Sequence, residues 1–337
     1  MDITITFDNY NGGTEDGVHV YRSDTPMLDA SMPAPLATIA AGSTSYVDAT
    51  VVRGNKYYYR VGIFKGTDET LTPNRAFRAV AAADTGPGPQ KLISGDWDLG
   101  YFGYAKSTSD LISYANLGTA LGLSTAGTAL TNDLDWLKVA YKGKVLFVAR
   151  TMYKYNIAYT TLYSAGAVFG TNDNGLLVPG GATATNQYHP QTINGFTLIP
   201  RILKGLPDNA ALPANVALTG AAALPTNEYD DILGSFMSPI KYTGDVTNNV
   251  LGRQDWDLYP AMGASYGITE HCQQTSGFTN ANLGLLRGGR ATNVLPVYPG
   301  SLSNMAVTAG YAGTTLWNAL GVSNIYGGWR QVLELVL

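Results

Sequence analysis

The sequence predicts two domains: an all-β sandwich over residues 1–80 and an α+β domain with long loops over residues 91–337. Three observations predict this arrangement. A chain of 337 residues is too long for one ordinary small domain and fits two. Short alternating strands fill the first part, and capped helical segments appear only in the second. A Pro-, Gly- and Ala-rich stretch at 81–90 separates them and is predicted to be a linker.

The composition favours a turn-rich fold with a large uncharged polar surface. Charged residues make up only 14% of the chain, whereas about 25% is usual for soluble domains. Hydrophobic residues make up 45%, which is enough for a packed core. The 39 glycines and 22 tyrosines are typical of turns and of binding loops, because tyrosine supplies contact area at a low entropic cost.

Charge and hydropathy argue against several kinds of partner and compartment. The net charge is −4 with no run of Lys or Arg, so we expect no nucleic-acid binding. No stretch approaches the roughly 20 apolar residues of a membrane span, so we expect no membrane insertion. The first residues carry no secretory signal pattern, and Cys272 alone cannot form an intrachain disulfide. We therefore expect folding in a cytosol.

The first two predicted strands show the alternation of half-buried β-structure. In residues 3–7, Ile and Phe occupy one face and Thr occupies the other. After a turn at 11–13, residues 18–22 place two valines opposite His19 and Tyr21. Because His19 alternates outward in this pattern, we interpret it as a surface residue.

A third strand carries Tyr57, Tyr59 and Val61 on one face and begins shortly after the turn residue Gly54. This spacing resembles the fibronectin type III domain, in which a tyrosine at the start of strand F forms a tyrosine corner. The resemblance covers about residues 1–80 and implies a spacer or docking module with Tyr57 as the corner residue. Three tyrosines also suit the strand of any other β-sandwich.

The second domain alternates predicted strands, such as 145–148 and 196–199, with three short helices. The helices are predicted from cap residues and from hydrophobic residues at helical spacing. They comprise Ser107 to Ser109 capping a helix with Leu111, Ile112, Leu117 and Leu121; Thr160 capping one with Leu162 and Tyr163; and Thr226, with Glu228 in the first turn, opening one with Tyr229, Ile232, Leu233 and Phe236.

Three long loops rich in Gly, Ala, Thr and Asn separate these elements, at 171–191, 207–227 and 289–313. Long loops in a compact domain are commonly functional. We therefore expect contact with a receptor, where it occurs, to lie on the loops at 171–191 and 289–313.

Six strings in residues 91–337 resemble, in order, a module of bacteriophage structural and tail-fibre proteins. Their shared order along the chain is more specific than any one of them. They are Lys91 to Asp96; Trp136 to Ala140 with Gly143-Lys144; Ile193-Asn194-Gly195 leading to Arg201 to Gly205; Cys272 to Thr275; Leu286 to Gly289; and Tyr326 to Arg330.

The last two strings are also similar to the closing part of the C-type lectin-like fold of formylglycine-generating enzymes. In that fold an Arg-Gly-Gly strand and a terminal Gly-aromatic-Arg strand bracket the final loops. The resemblance implies that Arg287, Trp329 and Arg330 are structural. Those enzymes depend on a pair of cysteines, and this chain has only Cys272, so the resemblance implies the fold without the activity.

Residues 263–267 match the G-x-S-x-G pattern of a hydrolase, with Ser265 at the nucleophile position. That motif needs a strand before it, a helix after it, and a later acid and histidine. The segment before it is a poor strand, and His271 is the only later histidine. Glu270 and Cys272 flank His271, but neighbours on a strand point to opposite faces, so we expect no catalytic group there.

Acidic pairs recur at Asp96/Asp98, Asp133/Asp135, Asp230/Asp231 and Asp255/Asp257. Calcium needs six to eight oxygens from a shaped loop, and none of these pairs follows an EF-hand pattern. We therefore expect solvated turn acids and no metal. His189 has no second ligand at metal spacing.

These patterns predict no catalytic residue, no cofactor and no metal site. The expected function is a non-enzymatic bacteriophage virion protein displayed on the particle surface, and we favour a tail or baseplate adhesin. A capsid decoration or collar protein and a surface-glycan hydrolase are the alternatives. The expected partners are other virion proteins, a host surface glycan or protein, and further copies of this chain.

Overall fold

The computed structural model describes residues 2–129, 135–179, 182–205, 228–236, 261–262, 266–267, 269–273, 285–287 and 327–337. The described residues are mostly β-sheet with three short α-helices, which agrees with the predicted all-β and α+β classes.

Seven strands make up the first eighty residues, and they form two antiparallel sheets. Strand β1 pairs with β4, and the other sheet has the order β3-β2-β5-β6, with β7 also pairing with β5. The strands are β1 Ile3–Thr6, β2 Gly17–Ser23, β3 Ala37–Ile39, β4 Ser45–Asp48, β5 Lys56–Lys65, β6 Asp68–Leu71 and β7 Arg75–Arg78.

The two sheets enclose a small core, and the predicted alternation is confirmed. Ile3 and Ile5 are buried while Thr4 and Thr6 are exposed. They pack with valines of β2 and with Tyr57 and Tyr59 of β5. The hydroxyl of Tyr57 accepts a hydrogen bond from the backbone N–H of Val52 at 3.0 Å. This bond joins the tyrosine side chain to a backbone group five residues upstream.

His19 is not a simple surface residue, as the alternation had suggested. Its ring stacks on Phe64 with centroids 4.2 Å apart, and its Nδ1 lies 2.9 Å from the Glu69 carboxylate. Only 24% of its side chain is exposed. The neighbouring strands β5 and β6 supply these partners, and a single-strand pattern cannot show them.

The second part of the chain contains fourteen described strands and three helices. The strands are β8 Ser94–Gly95, β9 Leu99–Ala105, β10 Thr128–Ala129, β11 Trp136–Tyr141, β12 Lys144–Ala149, β13 Lys154–Tyr155, β14 Gln191–Ile193, β15 Phe196–Arg201, β16 Ala261–Met262, β17 Tyr266–Gly267, β18 Thr269–Cys272, β19 Leu285–Arg287, β20 Gly327–Trp329 and β21 Val332–Leu335. The helices are α1 Tyr114–Ala120, α2 Tyr159–Ser164 and α3 Glu228–Phe236.

A seven-stranded antiparallel sheet of order β14-β15-β21-β12-β11-β9-β8 organises this part. Every residue of β11 is buried, because both faces of the sheet are covered. One face packs against hydrophobic residues of α1 and α2. The other packs against Tyr229, Ile232 and Leu233 of α3, which confirms their predicted helical spacing. Strand β21 lies inside this sheet, so the last strand of the chain is held on both sides.

Helix α1 begins later in the sequence than predicted, and helix α2 begins earlier. Helix α1 is capped by Ser113, whose hydroxyl accepts from the Asn116 N–H at 3.1 Å. Residues 107–109 instead belong to a turn closed by Asp110, whose carboxylate accepts from the Lys106 N–H. Helix α2 follows Ala158, so Thr160 lies in its first turn and is not its cap. Thr226 lies outside the described residues.

The two β-rich parts are joined by direct polar contacts. The Asp96 carboxylate accepts from the Ala76 N–H at 2.8 Å, and Asp98 lies 2.5 Å from the Lys56 ammonium. The Arg78 guanidinium donates to the Gly143 carbonyl. The prediction of solvated turn acids is therefore wrong for Asp96 and Asp98, because these carboxylates bind groups of β7 and β5.

The segment at 81–90, predicted as a linker, packs against the main sheet. A short 3-10 helix spans Ala82–Thr85, and residues 85–87 are buried. The buried Lys138 of β11 reaches this segment. Its ammonium donates to the carbonyls of Pro89, Pro87 and Gly86 at 2.6, 3.0 and 3.1 Å, and lies 3.3 Å from the Thr85 hydroxyl.

Burial lowers the pKa of Lys138 to about 8, against a weaker opposing effect of Asp110. Three backbone carbonyls accept hydrogen bonds from its Nζ, which requires three protons, so the side chain is an ammonium. A buried charge is tolerated only when it is paired or fully hydrogen-bonded. The carbonyls of Gly86, Pro87 and Pro89 supply these bonds, and Lys138 therefore fixes the segment to the sheet.

We predict that Lys138→Met lowers the free energy of unfolding by about 2–4 kcal/mol. The buried carbonyls lose their hydrogen-bond donor, and this loss outweighs the gain from removing a buried charge. The control Lys65→Met alters an exposed lysine and should change stability by less than about 0.5 kcal/mol. Urea unfolding followed by tryptophan fluorescence measures both. Equal midpoints for the wild type and Lys138→Met would contradict the structural role of this ammonium.

Candidate binding groove

A groove open to solvent, with a volume of about 600 Å³, lies between residues 89–93 and strand β9. Its walls combine aromatic rings, aliphatic side chains and a few charged groups. The lining residues are Pro89, Gln90, Lys91, Ile93, Tyr101, Phe102, Gly103, Tyr104, Lys106 and Asp135.

A β-bulge shapes the wall formed by β9. The register with β11 shifts between Lys138, which pairs with Gly103, and Val139, which pairs with Tyr101. Phe102 is the extra residue, and Gly103 has a φ of 119°. In a regular strand, residues three apart point to opposite faces. The bulge brings Tyr101 and Tyr104 to the same side, as such irregularities commonly do beside binding sites.

Tyr104 is the most accessible aromatic ring of the groove. It is 38% exposed, and its ring meets Tyr101 edge-on at 5.9 Å. Tyr101 is in turn stacked on Phe236 of α3 at 5.7 Å. Across the groove, Ile93 is 70% exposed. Burial raises the pKa of Tyr101, and the neighbouring Tyr104 adds to this effect, so its phenol stays neutral.

Charged groups surround these rings. Lys91 and Lys106 are exposed, and the Arg150 guanidinium lies over the Tyr104 ring at 4.8 Å. Asp135 is the carboxylate of the lining and accepts from the Ser107 N–H at 3.4 Å. Behind the rim, Asp110 accepts from the backbone of Lys106. Among the described residues that line the groove, Lys91 and Lys106 are cations and Asp135 is a carboxylate, whereas the whole chain has a net charge of −4.

The groove is held in shape from beneath. The Lys138 ammonium that binds the Pro89 carbonyl also lies 5.0 Å from the Phe102 ring. The Ile93 N–H donates to the Tyr101 carbonyl at 2.7 Å and joins the two walls. A Cβ on Gly103 would approach Pro89 and Ile93 to 3.2 and 3.3 Å, so the walls are in close contact at this point.

The hydrolase-like motif does not have the required surroundings. Ser265 lies outside the described residues, but the pairs on either side of it, Ala261–Met262 and Tyr266–Gly267, form an antiparallel ladder. Strand β18 follows, where a nucleophile elbow would require a helix. Glu270, His271 and Cys272 occupy successive positions of β18.

The described strands of the two closing strings, β19 and β20, lie in one sheet of order β10-β13-β20-β18-β19 and flank β18. Trp329 is buried, and the buried Arg330 donates to the carbonyls of Ala149 and Arg150 at 2.6 and 2.7 Å. The structural role predicted for these two residues agrees with this burial. The backbone of Arg287 pairs with Glu270, and its side chain lies outside the described part.

Of the loops expected to contact a receptor, the structure describes most of 171–191. Its inner part is packed, since the buried Gln187 donates to the Tyr163 carbonyl at 2.9 Å and accepts from the Val168 N–H. Tyr188 is 39% exposed, and His189 lies 3.3 Å from the Ala165 carbonyl. The loops at 207–227 and 289–313 lie outside the described residues, as do Asp133, Asp255 and Asp257. Asp231 accepts from the Tyr141 hydroxyl.

Sequence reasoning missed the groove, although one signal was present. A glycine within a strand commonly marks a bulge or a close approach. Gly103 lies between Phe102 and Tyr104 in a stretch otherwise typical of a strand. The pattern thus indicates an irregular sheet edge. It does not show that residues 89–93, at the boundary between the predicted linker and the second domain, form the opposite wall.

Neither similarity to known proteins nor a cluster of metal-ligating side chains among the described residues indicates a function. No family model matches the chain, and no curated protein or solved structure is significantly similar to it. Within the described ranges, no three His, Cys, Asp or Glu side chains are grouped as metal ligands, and no helix is long and apolar enough to cross a membrane. The groove is therefore interpreted from its own chemistry.

We predict that Gly103→Ala lowers the free energy of unfolding by about 2–4 kcal/mol, because Ala is strained at this φ and its Cβ crowds Pro89 and Ile93. Gly122→Ala is the matched control, since Gly122 has a φ of 69° and open space around it, and should cost only about 1 kcal/mol. Thermal unfolding compares the two variants. Equal losses would contradict the tight packing at the bulge.

Proposed function

We propose that this chain is a non-enzymatic bacteriophage virion protein displayed on the particle surface, where it serves as a tail or baseplate adhesin. The observation that carries the proposal is the preformed groove with the exposed Tyr104 and Ile93 between cationic groups. Exposed aromatic and aliphatic side chains on a rigid frame are characteristic of recognition surfaces. The ordered strings in residues 91–337, which resemble phage structural proteins, supply the virion context.

The N-terminal strands support a fibronectin type III-like sandwich that acts as a spacer or docking module. In immunoglobulin-like sandwiches, strand B pairs with E, and strand F pairs with both C and G. The pairs β1–β4, β2–β5 and β5–β6/β7 reproduce these relations. The corner tyrosine at the start of β5 adds to this support. We assign to this sandwich the attachment to other virion proteins, including further copies of the chain.

The arrangement of β18, β19 and β20 supports a C-type lectin-like identity for residues 91–337. Strand β19, which ends at Arg287, and β20 Gly327–Trp329 lie on either side of β18, as expected for strands that bracket the final loops. Such a domain serves as a scaffold for variable surface contacts.

Binding fits the groove better than catalysis does. A nucleophilic mechanism needs a nucleophile with a base in reach, and glycoside hydrolysis by the usual route needs two carboxylates. Among the groove-lining residues, Asp135 is the single carboxylate, and none is Ser, Cys or His. The chemistry on offer is aromatic contact, hydrogen bonding and cationic attraction.

Immunogold labelling of intact virions tests the placement. An antibody raised against the purified chain should mark the tail or baseplate, because an adhesin must be accessible where the particle meets its host. Antibody preabsorbed with the purified protein is the control. Labelling confined to the capsid would replace the adhesin with a decoration or collar protein, and unlabelled particles that lack the chain by mass spectrometry would refute a virion role.

A further inference from the structure

We propose that the groove binds an acidic polysaccharide, with a sugar ring against Tyr104 and the acidic group of the sugar facing Lys91 and Lys106. This inference rests on the proposed adhesin function and names its ligand class. The juxtaposition of an accessible ring and several cations at one groove carries it.

The aromatic wall suits a sugar ring. One face of many pyranoses presents several C–H groups, which pack on aromatic rings, while the hydroxyl groups at the rim need polar partners. Tyr104 offers an accessible ring held by Tyr101 and by the Arg150 guanidinium. Gln90 and Asp135 in the lining provide hydrogen-bonding groups for hydroxyls.

The charges favour an acidic sugar over a neutral one. Lys91 and Lys106 line this groove in a protein with a net charge of −4, and the Arg150 guanidinium lies over the Tyr104 ring. Among the described lining residues, Asp135 is the one carboxylate beside these two lysines. A ligand with a carboxylate or phosphate on each repeating unit complements such a surface, and its binding weakens as salt screens exposed charges.

The packing disfavours an acidic peptide as the occupant. An extended peptide commonly docks by adding a strand to an exposed sheet edge. At Gly103 the outer edge of β9 is covered by Pro89 and Ile93, and the Tyr101 carbonyl is already bonded to the Ile93 N–H. The groove therefore offers side chains in place of a free strand edge.

The test uses the full chain on an array of oligosaccharides that carry uronate, sialate or phosphate. Each is printed beside its neutral counterpart, a methyl ester for the carboxylates and the dephosphorylated sugar for the phosphates. We expect binding to at least one acidic sugar, at least tenfold weaker binding to its neutral partner, and loss of signal between 50 and 500 mM NaCl, about the range over which screening becomes strong. The uronate and sialate sugars test carboxylate recognition, and the phosphorylated sugars test phosphate recognition.

Variants locate the site. Tyr104→Ala and the double variant Lys91→Ala/Lys106→Ala should each weaken binding at least tenfold, while Tyr104→Phe keeps most of it because the ring remains. Tyr188→Ala tests the 171–191 loop as the alternative site, since Tyr188 is as exposed as Tyr104, and Tyr10→Ala in the N-terminal strands is the control for the loss of an exposed tyrosine. Lys65→Ala controls for the loss of an exposed lysine. Circular dichroism checks that each variant is folded.

Several results would overturn the inference: no acidic sugar bound, equal binding to the neutral partners, displacement by polyglutamate but not by the free acidic sugar, or loss of binding in Tyr188→Ala but not in Tyr104→Ala. These failures are separable from a failure of the proposed function. A chain that labels the virion but fails on the array keeps its adhesin role and loses this ligand. A chain that is absent from the virion but binds acidic sugars keeps the ligand and loses that role.

Discussion

The hydrogen bonds of the Lys138 ammonium are the interaction on which the position of the segment at 81–90 and the shape of the groove depend. It lies in the middle of β11, on a fully covered sheet, and its bonds go to the carbonyls of residues 86–89. A flexible connection there would leave those carbonyls and the charge without partners, at a cost of several kcal/mol. The bonds instead fix the segment between the two β-rich parts and hold one wall of the groove in place. A preformed wall reduces the entropy that a ligand must lose on binding.

The same device recurs at other irregular segments, in a chain where charged residues are scarce. The Lys154 ammonium donates to the carbonyls of residues 123, 124 and 126, and burial lowers its pKa. Arg330 does the same for residues 149 and 150, while the buried Arg201 binds the carboxylates of Glu228 and Glu334. Each cation connects a loop or a helix to the sheet. These four buried cations each fix one particular segment, so a chain with few charged residues can still hold its irregular segments in place.

Patterns within single strands and helices could be predicted from the sequence, and contacts between elements could not. The alternation of residues 3–6 and the apolar stripe of α3 follow from local spacing. The burial of Lys138 and the pairing of Asp96 and Asp98 depend on chain segments 20 to 50 residues away. The groove also depends on such a contact, because the bulge at Gly103 forms a groove wall only when residues 89–93 lie beside it. Composition pointed to aromatic recognition surfaces but could not locate one.

Hydrogen exchange of the wild type and of Lys138→Met tests most directly whether this ammonium holds the groove. The Ile93 amide, bonded to the Tyr101 carbonyl, reports on the contact between the two walls. If Lys138 holds the wall, amides of residues 91–104 should exchange at least about tenfold faster in the variant, while those of β5 in the N-terminal sheet keep their rates. Unchanged protection at Ile93 in a folded Lys138→Met protein would contradict this account.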